Sequence, residues 1–137
     1  MYKKIAAISV GLLLLTGCAG GPGGPGHRAF ESQLAESTLA PVLMGQGFVV
    51  RSAEHKKVLE DQWVQLVELL KQEPGFVSAQ LNQGEGSSPL RLSLIEWETA
   101  EGLKNALAQE AVAAHLSSMR SPRFHHLFKP GADRFQH

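Results

Sequence analysis

A single cysteine, Cys18, stands in the whole chain of 137 residues. An intrachain disulfide is therefore excluded, and so is a zinc site built on several thiolates. Excess charge is lacking too, since 13 Lys+Arg balance 13 Asp+Glu. With no net field to draw a polyanion, nucleic acid is not an expected partner. A long apolar run is also missing. The most apolar stretch, Ile5 to Leu15, is about half the ~20 residues that a membrane-spanning helix needs. What is present is 43% hydrophobic, enough for the core of the one domain that this length suggests.

Lys3 and Lys4 precede the apolar run, which is the layout of a secretory signal. Leu15-Thr16-Gly17-Cys18 follows. It resembles the bacterial lipoprotein cleavage box, in which small residues precede an invariant cysteine. The resemblance implies that residues 1–17 are removed and that Cys18 becomes an acylated N-terminus. Several acyl chains, at about 0.8 kcal/mol per buried CH₂, hold a domain on a membrane stably. Ala19 after the cysteine implies the outer membrane, with the domain in the periplasm. In a Gram-positive envelope the same anchor places it outside the single membrane. An ordinary cleaved signal with an incidental cysteine is the alternative. Residues 18–41 then read as a tether, since Ala19 to Gly26 is a Gly/Pro tract with no apolar face. A coil of roughly 20 residues spans on the order of 25 Å. Phe30 and Leu34, four residues apart, could instead lay a short helix on the domain.

Residues 42–137 carry the folding pattern. Val42, Met44, Phe48 and Val50 fall on one face of a first strand, Val42 to Arg51, with Gly45 and Gly47 opposite. Two glycines in one strand suggest a bulge or a close approach of backbone. Ser52 is placed to cap a helix over His55–Gln72, in which Leu59, Trp63, Leu66 and Leu70 form an apolar stripe widened by Val58, Val67 and Leu69. Pro74-Gly75 stops that helix. Val77, Ala79 and Leu81 then alternate with polar residues, and so do Leu90, Leu92 and Leu94 after a Gly/Ser loop, which predicts a hairpin. Thr99 caps a second helical stretch. Its stripe Leu103, Leu107, Ala111 shifts to Val112, Leu116, Met119, which predicts a kinked or two-part helix ending near Ser118. Arg123 to Lys129 closes the series, with Phe124, His126 and Phe128 on one face.

The order β-α-β-β-α-β predicts an α+β, ferredoxin-like domain with both helices on one side of an antiparallel sheet. Ile95 and Trp97 fall opposite Leu92 and Leu94, so both sheet faces carry apolar side chains. A bare apolar face in so small a domain is a liability that a homodimer, sheet against sheet, would remove.

From about Phe48 to Phe128 the chain resembles the antibiotic biosynthesis monooxygenase family of dimeric α+β barrels. The matching elements are the first helix with its tryptophan, the turn and strand EPGFVSAQL, the strand-to-helix join LIEWETAEGLKNAL, and the short last strand. The resemblance implies a flat hydrophobic or aromatic ligand, such as a quinol, held between sheet and helices. It also implies oxygenation without metal, flavin or other cofactor. The substrate loses a proton, its carbanion passes an electron to O₂, and the protein supplies an apolar pocket and a base. His115, among Ala111, Val112, Ala114 and Leu116, is the candidate catalytic base, because a histidine titrates near working pH. Its alternative role is a boundary histidine with a polar partner. Phe48, Trp97 and Leu116 are the candidate pocket walls. The fold also hosts proteins without activity, so a cell-envelope module that binds a small ligand, haem or a protein partner is the second reading.

The haem-degrading branch of this superfamily pairs a strand asparagine with a tryptophan and a histidine. Here Ala106 stands at the tryptophan position and Val42 to Arg51 holds no asparagine. Those absences count against haem degradation by that route and leave haem binding open. His125 and His126 are adjacent on a strand, so they point to opposite faces and cannot chelate one metal as a pair. Gly84 to Ser88 lacks the strand–loop–helix setting of a phosphate cradle.

Overall fold

The computed structural model describes residues 29–131; Cys18, the signal segment and the Gly/Pro tract lie outside them. The elements run α1 (Phe30–Glu36), β1 (Val42–Val49), α2 (Ala53–Leu70), β2 (Phe76–Gln83), β3 (Leu90–Trp97), α3 (Ala100–Leu107), α4 (Glu110–Ser118) and β4 (Phe124–Phe128). The four strands form one antiparallel sheet in the order β2-β3-β1-β4. This is the ferredoxin-like α+β arrangement that the sequence predicts, with α1 added ahead of it. Among the described residues no helix is long and apolar enough to cross a membrane.

The helix boundaries follow from local chemistry. The Ser52 hydroxyl accepts the His55 N–H at 3.1 Å and starts α2. The Thr99 hydroxyl accepts the Gly102 N–H at 2.9 Å and starts α3. Each satisfies an amide that the first helical turn would otherwise leave unpaired. The second helical stretch is two helices, as its shifting stripe predicts. The new phase that begins at Glu110 leaves Ala111 exposed, so it does not join the stripe of Leu103.

The core lies between the helices and one sheet face. Val42, Met44, Phe48, Ile95, Trp97, Leu59, Leu66, Leu70, Leu103 and Val112 are buried there. Val58 is half exposed and does not widen the α2 stripe. Trp63 sits half-buried in the middle of α2 and donates its indole N–H to Ser93 Oγ at 2.8 Å.

Two strand details differ from the periodic reading. In β2 a bulge falls between Phe76 and Ser78, so the chain gains a residue there and Val77 leaves the inward series of Ala79 and Leu81. Val77 is accordingly 47% exposed. In β1 the pairing with β3 runs without a break from Val42↔Trp97 to Val49↔Leu90, so its glycines mark no bulge. They mark close approach instead. A Cβ at Gly45 would lie 2.8 Å from the Phe128 ring, and one at Gly47 would lie 2.7 Å from the Phe124 ring. The two phenyl rings reach over the β1 glycines on the sheet face away from the helices.

That outer face carries an apolar patch on β1, β3 and β4, bordered by Ser78, Gln80 and Asn82 of β2. Leu90, Phe124 and Phe128 are 56%, 38% and 42% exposed on it. Leu92, Leu94 and Val49 share it by strand alternation, and a shallow, almost wholly apolar hollow of about 520 Å³ opens beside Gly47, Leu92 and Phe124.

Candidate functional site

Register alone brings the polar groups of the inner face together. Ser93 of β3 lies opposite Gln46 of β1, and Gln46 lies opposite His125 of β4. The rows on either side are apolar or nearly so: Ile95, Met44 and Leu127 on one side, Phe48 and the stem of Arg91 on the other. A polar stripe therefore crosses the sheet underneath the helices. Ser93 is satisfied by Trp63. Gln46 Oε1 and His125 Nε2 are buried and have no hydrogen-bond partner. Such atoms cost on the order of 1–3 kcal/mol each when left unpaired, so they point to a role that the resting fold does not fulfil.

Both residues belong to the wall of a cavity of about 420 Å³ between the sheet and the helices, with these two atoms themselves closed off from solvent. Phe48, Leu107, Leu116 and Met119 supply its apolar sides, Arg120 stands at its rim, and Phe30 and Leu34 of α1 cover it. The His125 imidazole is pushed down from 6.5 to about 4, chiefly because burial disfavours the charged ring. Glu31 opposes that shift and the neighbouring His126 adds to it. At neutral pH the ring is uncharged, with one nitrogen able to donate and the other to accept. A cavity of mixed lining, apolar at Phe48, Leu107 and Leu116 and polar at Glu31, Ser117 and Arg120, with a perturbed histidine in its wall, is a candidate small-molecule site.

The residues nominated from sequence separate. Phe48 and Leu116 stand together on the cavity wall. Trp97 does not line it: the ring is fully buried near the other end of the sheet, its N–H donates to Pro74 O at 3.0 Å, and Phe76 meets it edge-on. His115 faces α2, where its Nε2–H donates to Gln62 O at 2.7 Å. Gln62 returns a bond from its side chain to Ser118 O at 3.3 Å, so this pair fastens α4 to α2. Gln46 and His125 are the site residues that the sequence reading passed over. A signal for Gln46 was present, as the one polar member of the inward series Val42, Met44, Gln46, Phe48, Val50. The signal for His125 was its alternation with Phe124 and His126. Among the described residues no three His, Cys, Asp or Glu side chains gather in a metal-ligating group.

The strand order and helix placement define an α+β domain of ferredoxin-like type. Solved structures share that fold. SnoaB, a cofactor-independent oxygenase from Streptomyces nogalater, superposes with a TM-score of 0.62 at 20% identity, over 71% of this chain and 99% of its own. A Caulobacter crescentus protein provisionally named an antibiotic biosynthesis monooxygenase gives 0.58 at 16% identity, over 69% and 92%. A Shewanella loihica protein provisionally named a monooxygenase gives 0.52 at 19% identity, over 70% and 98%. No family model matches the chain, and neither does any curated protein. At these identities the likeness establishes the fold, and the reaction rests on the cavity's own chemistry.

Proposed function

We propose that this domain binds a small planar aromatic molecule, of quinol or anthrone type, in the cavity between sheet and helices and oxidises it with O₂ without a cofactor. The observation that carries the reading is the pair Gln46 Oε1 and His125 Nε2, buried and unmatched in the wall of a cavity that both apolar and polar side chains line. Substrate polar groups would satisfy both. For an anthrone, the ring CH₂ loses a proton and the carbanion passes one electron to O₂. Recombination forms a C–O bond, and the hydroperoxide loses water to leave a ketone. The balance is one CH₂ and one O₂ giving one C=O and one H₂O.

His115, which the resemblance nominates as base, has its Nε2 committed to Gln62. His125 is the better-placed proton acceptor. Alone its ring is a weak base, but a substrate anion formed against it stabilises the imidazolium and makes the transfer favourable only with substrate bound. Oxygen uptake with anthrone or menadiol tests this. The protein should consume O₂ above the spontaneous rate, and His125→Leu or Gln46→Leu should lower the rate at least tenfold while His115→Gln should not. Equal rates with and without protein would overturn it.

A second reading, binding without turnover, draws support from one contact: the Phe30 ring lies directly over His125. It is met by native mass spectrometry of protein taken from its source membrane, where a retained ligand without product marks a binding module. Two features of assembly complete the proposal. A second copy covers the outer sheet face, given Leu90, Phe124 and Phe128 exposed there. The lipoprotein box at Cys18 supports a membrane anchor, with the domain on the periplasmic side of an outer membrane.

A further inference from the structure

We infer that the face of the His125 imidazole is a stacking site for a planar aromatic ring, and that Phe30 of α1 occupies it in place of ligand, so that ligand and α1 compete. The inference rests on the reading above that the cavity takes a flat aromatic molecule.

The geometry is unusual for core packing. The Phe30 and His125 rings are 3.4 Å apart at their centroids and only 8° from parallel. Aromatic side chains that merely fill a core favour offset or edge-on contacts with centroids roughly 4.5–7 Å apart. A separation equal to the thickness of a ring is what a flat molecule adopts in a slot. Phe30 cannot complete the site, because a phenyl ring carries no polar atom. Gln46 Oε1 and His125 Nε2 remain unmatched with Phe30 in place. A ligand of the same shape bearing a hydroxyl at its edge would keep the stack and donate to Gln46 Oε1.

The element that carries Phe30 is short and lies outside the buried core. α1 has seven residues, no buried residue and no side-chain cap at its N-terminus. Helices this short are marginal on their own, so α1 depends on what it touches. It rests Phe30 and Leu34 against the core, and Gln33 Oε1 accepts the Leu127 N–H at 2.9 Å. α1 supplies none of the fully buried core residues, which all come from the rest of the domain. The charged and titratable groups around the His125 ring are Glu31 on α1, His126 on β4 and Arg120 at the rim.

Binding of 1,4-naphthoquinone-2-sulfonate, a soluble planar probe, to the purified full chain tests the inference by calorimetry. Phe30→Ala and Phe30→Leu are compared with the unaltered protein; the leucine keeps an apolar anchor for α1 but removes the flat ring. Both should bind the probe at least tenfold more tightly, since the competing ring is gone. Amide exchange across residues 30–36 should speed up when the probe binds the unaltered protein. NMR titration of His125 in Phe30→Ala should show the ring opened to water, with its midpoint moved from about 4 toward 6.5. Unchanged or weaker binding in both variants would overturn the inference. So would tight binding to the unaltered protein with α1 still protected, although the cavity would then stand as a ligand site. Binding by no form of the protein would remove the inference and the proposed function together.

Discussion

Gly75→Ala tests the packing that closes the far end of the sheet. Gly75 has φ +95°, and a Cβ there would lie 2.6 Å from Trp97 Nε1. That indole is fully buried and its N–H is committed to Pro74 O at 3.0 Å. Two costs follow. A left-handed backbone costs a non-glycine residue about 1–2 kcal/mol. Moving the indole to admit a methyl group breaks a buried hydrogen bond, about 1–2 kcal/mol more. The sum, about 2–4 kcal/mol, is a large share of the 5–15 kcal/mol that stabilises a domain, and Tm should fall by on the order of 10–20 °C. Urea denaturation in two backgrounds separates the costs. With Trp97→Phe already present, the crowded atom is gone and Gly75→Ala should cost only the backbone part, about 1–2 kcal/mol. Gly102→Ala is an internal control. Its Cβ would sit 3.0 Å from the same indole nitrogen, but Gly102 lies in α3 without a positive φ, so helix propensity offsets the crowding. Equal costs of Gly75→Ala in the two backgrounds would refute the reasoning, because they would show that the indole does not meet the methyl group.

Acid should weaken the fold through His125. The unfolded chain takes up a proton near pH 6.5 that the folded ring refuses until about pH 4. Stability from this group is therefore fully present above pH 6.5, is lost as pH falls from 6.5 to about 4, and is level below that. The ceiling is about 3 kcal/mol, and partial access of water to the ring brings it to about 1–2 kcal/mol. Urea midpoints at pH 7 and pH 4.5 should show the loss, and His125→Leu should flatten it. On the outer face, Leu90→Glu should convert the proposed dimer to monomer in sedimentation at micromolar concentration with the fold retained, since Leu90 is 56% exposed and its replacement disturbs no core contact. A monomer before substitution would remove the sheet-to-sheet pairing.

The parts of the fold that were legible in sequence are those set by neighbours in the chain. Ser52 and Thr99 announce their helices because a capping hydroxyl acts three residues away. Alternation set Ile95 and Trp97 on the face opposite Leu92 and Leu94, and that face is the one the helices bury. The β2 bulge was not legible, because nothing between Phe76 and Ser78 signals an extra residue; pairing with β3 imposes it. The site was less legible still. Helical context drew attention to His115, yet whether a histidine meets a carbonyl or a cavity depends on the packing of α4 against α2. Gln46 and His125 lie 79 positions apart in sequence and meet only because β4 returns beside β1.

One further consequence attaches to Gln33. A β-sheet ends in a row of amides with no partner, and such a border can recruit any extended segment that drifts past. β4 is one border of this sheet, and its Leu127 N–H is taken by the Gln33 side chain, which stands where a fifth strand would place a carbonyl. A helix thus does the masking that a strand would otherwise do. Releasing α1 bares a template for strand addition, so the opened form is also the aggregation-prone one.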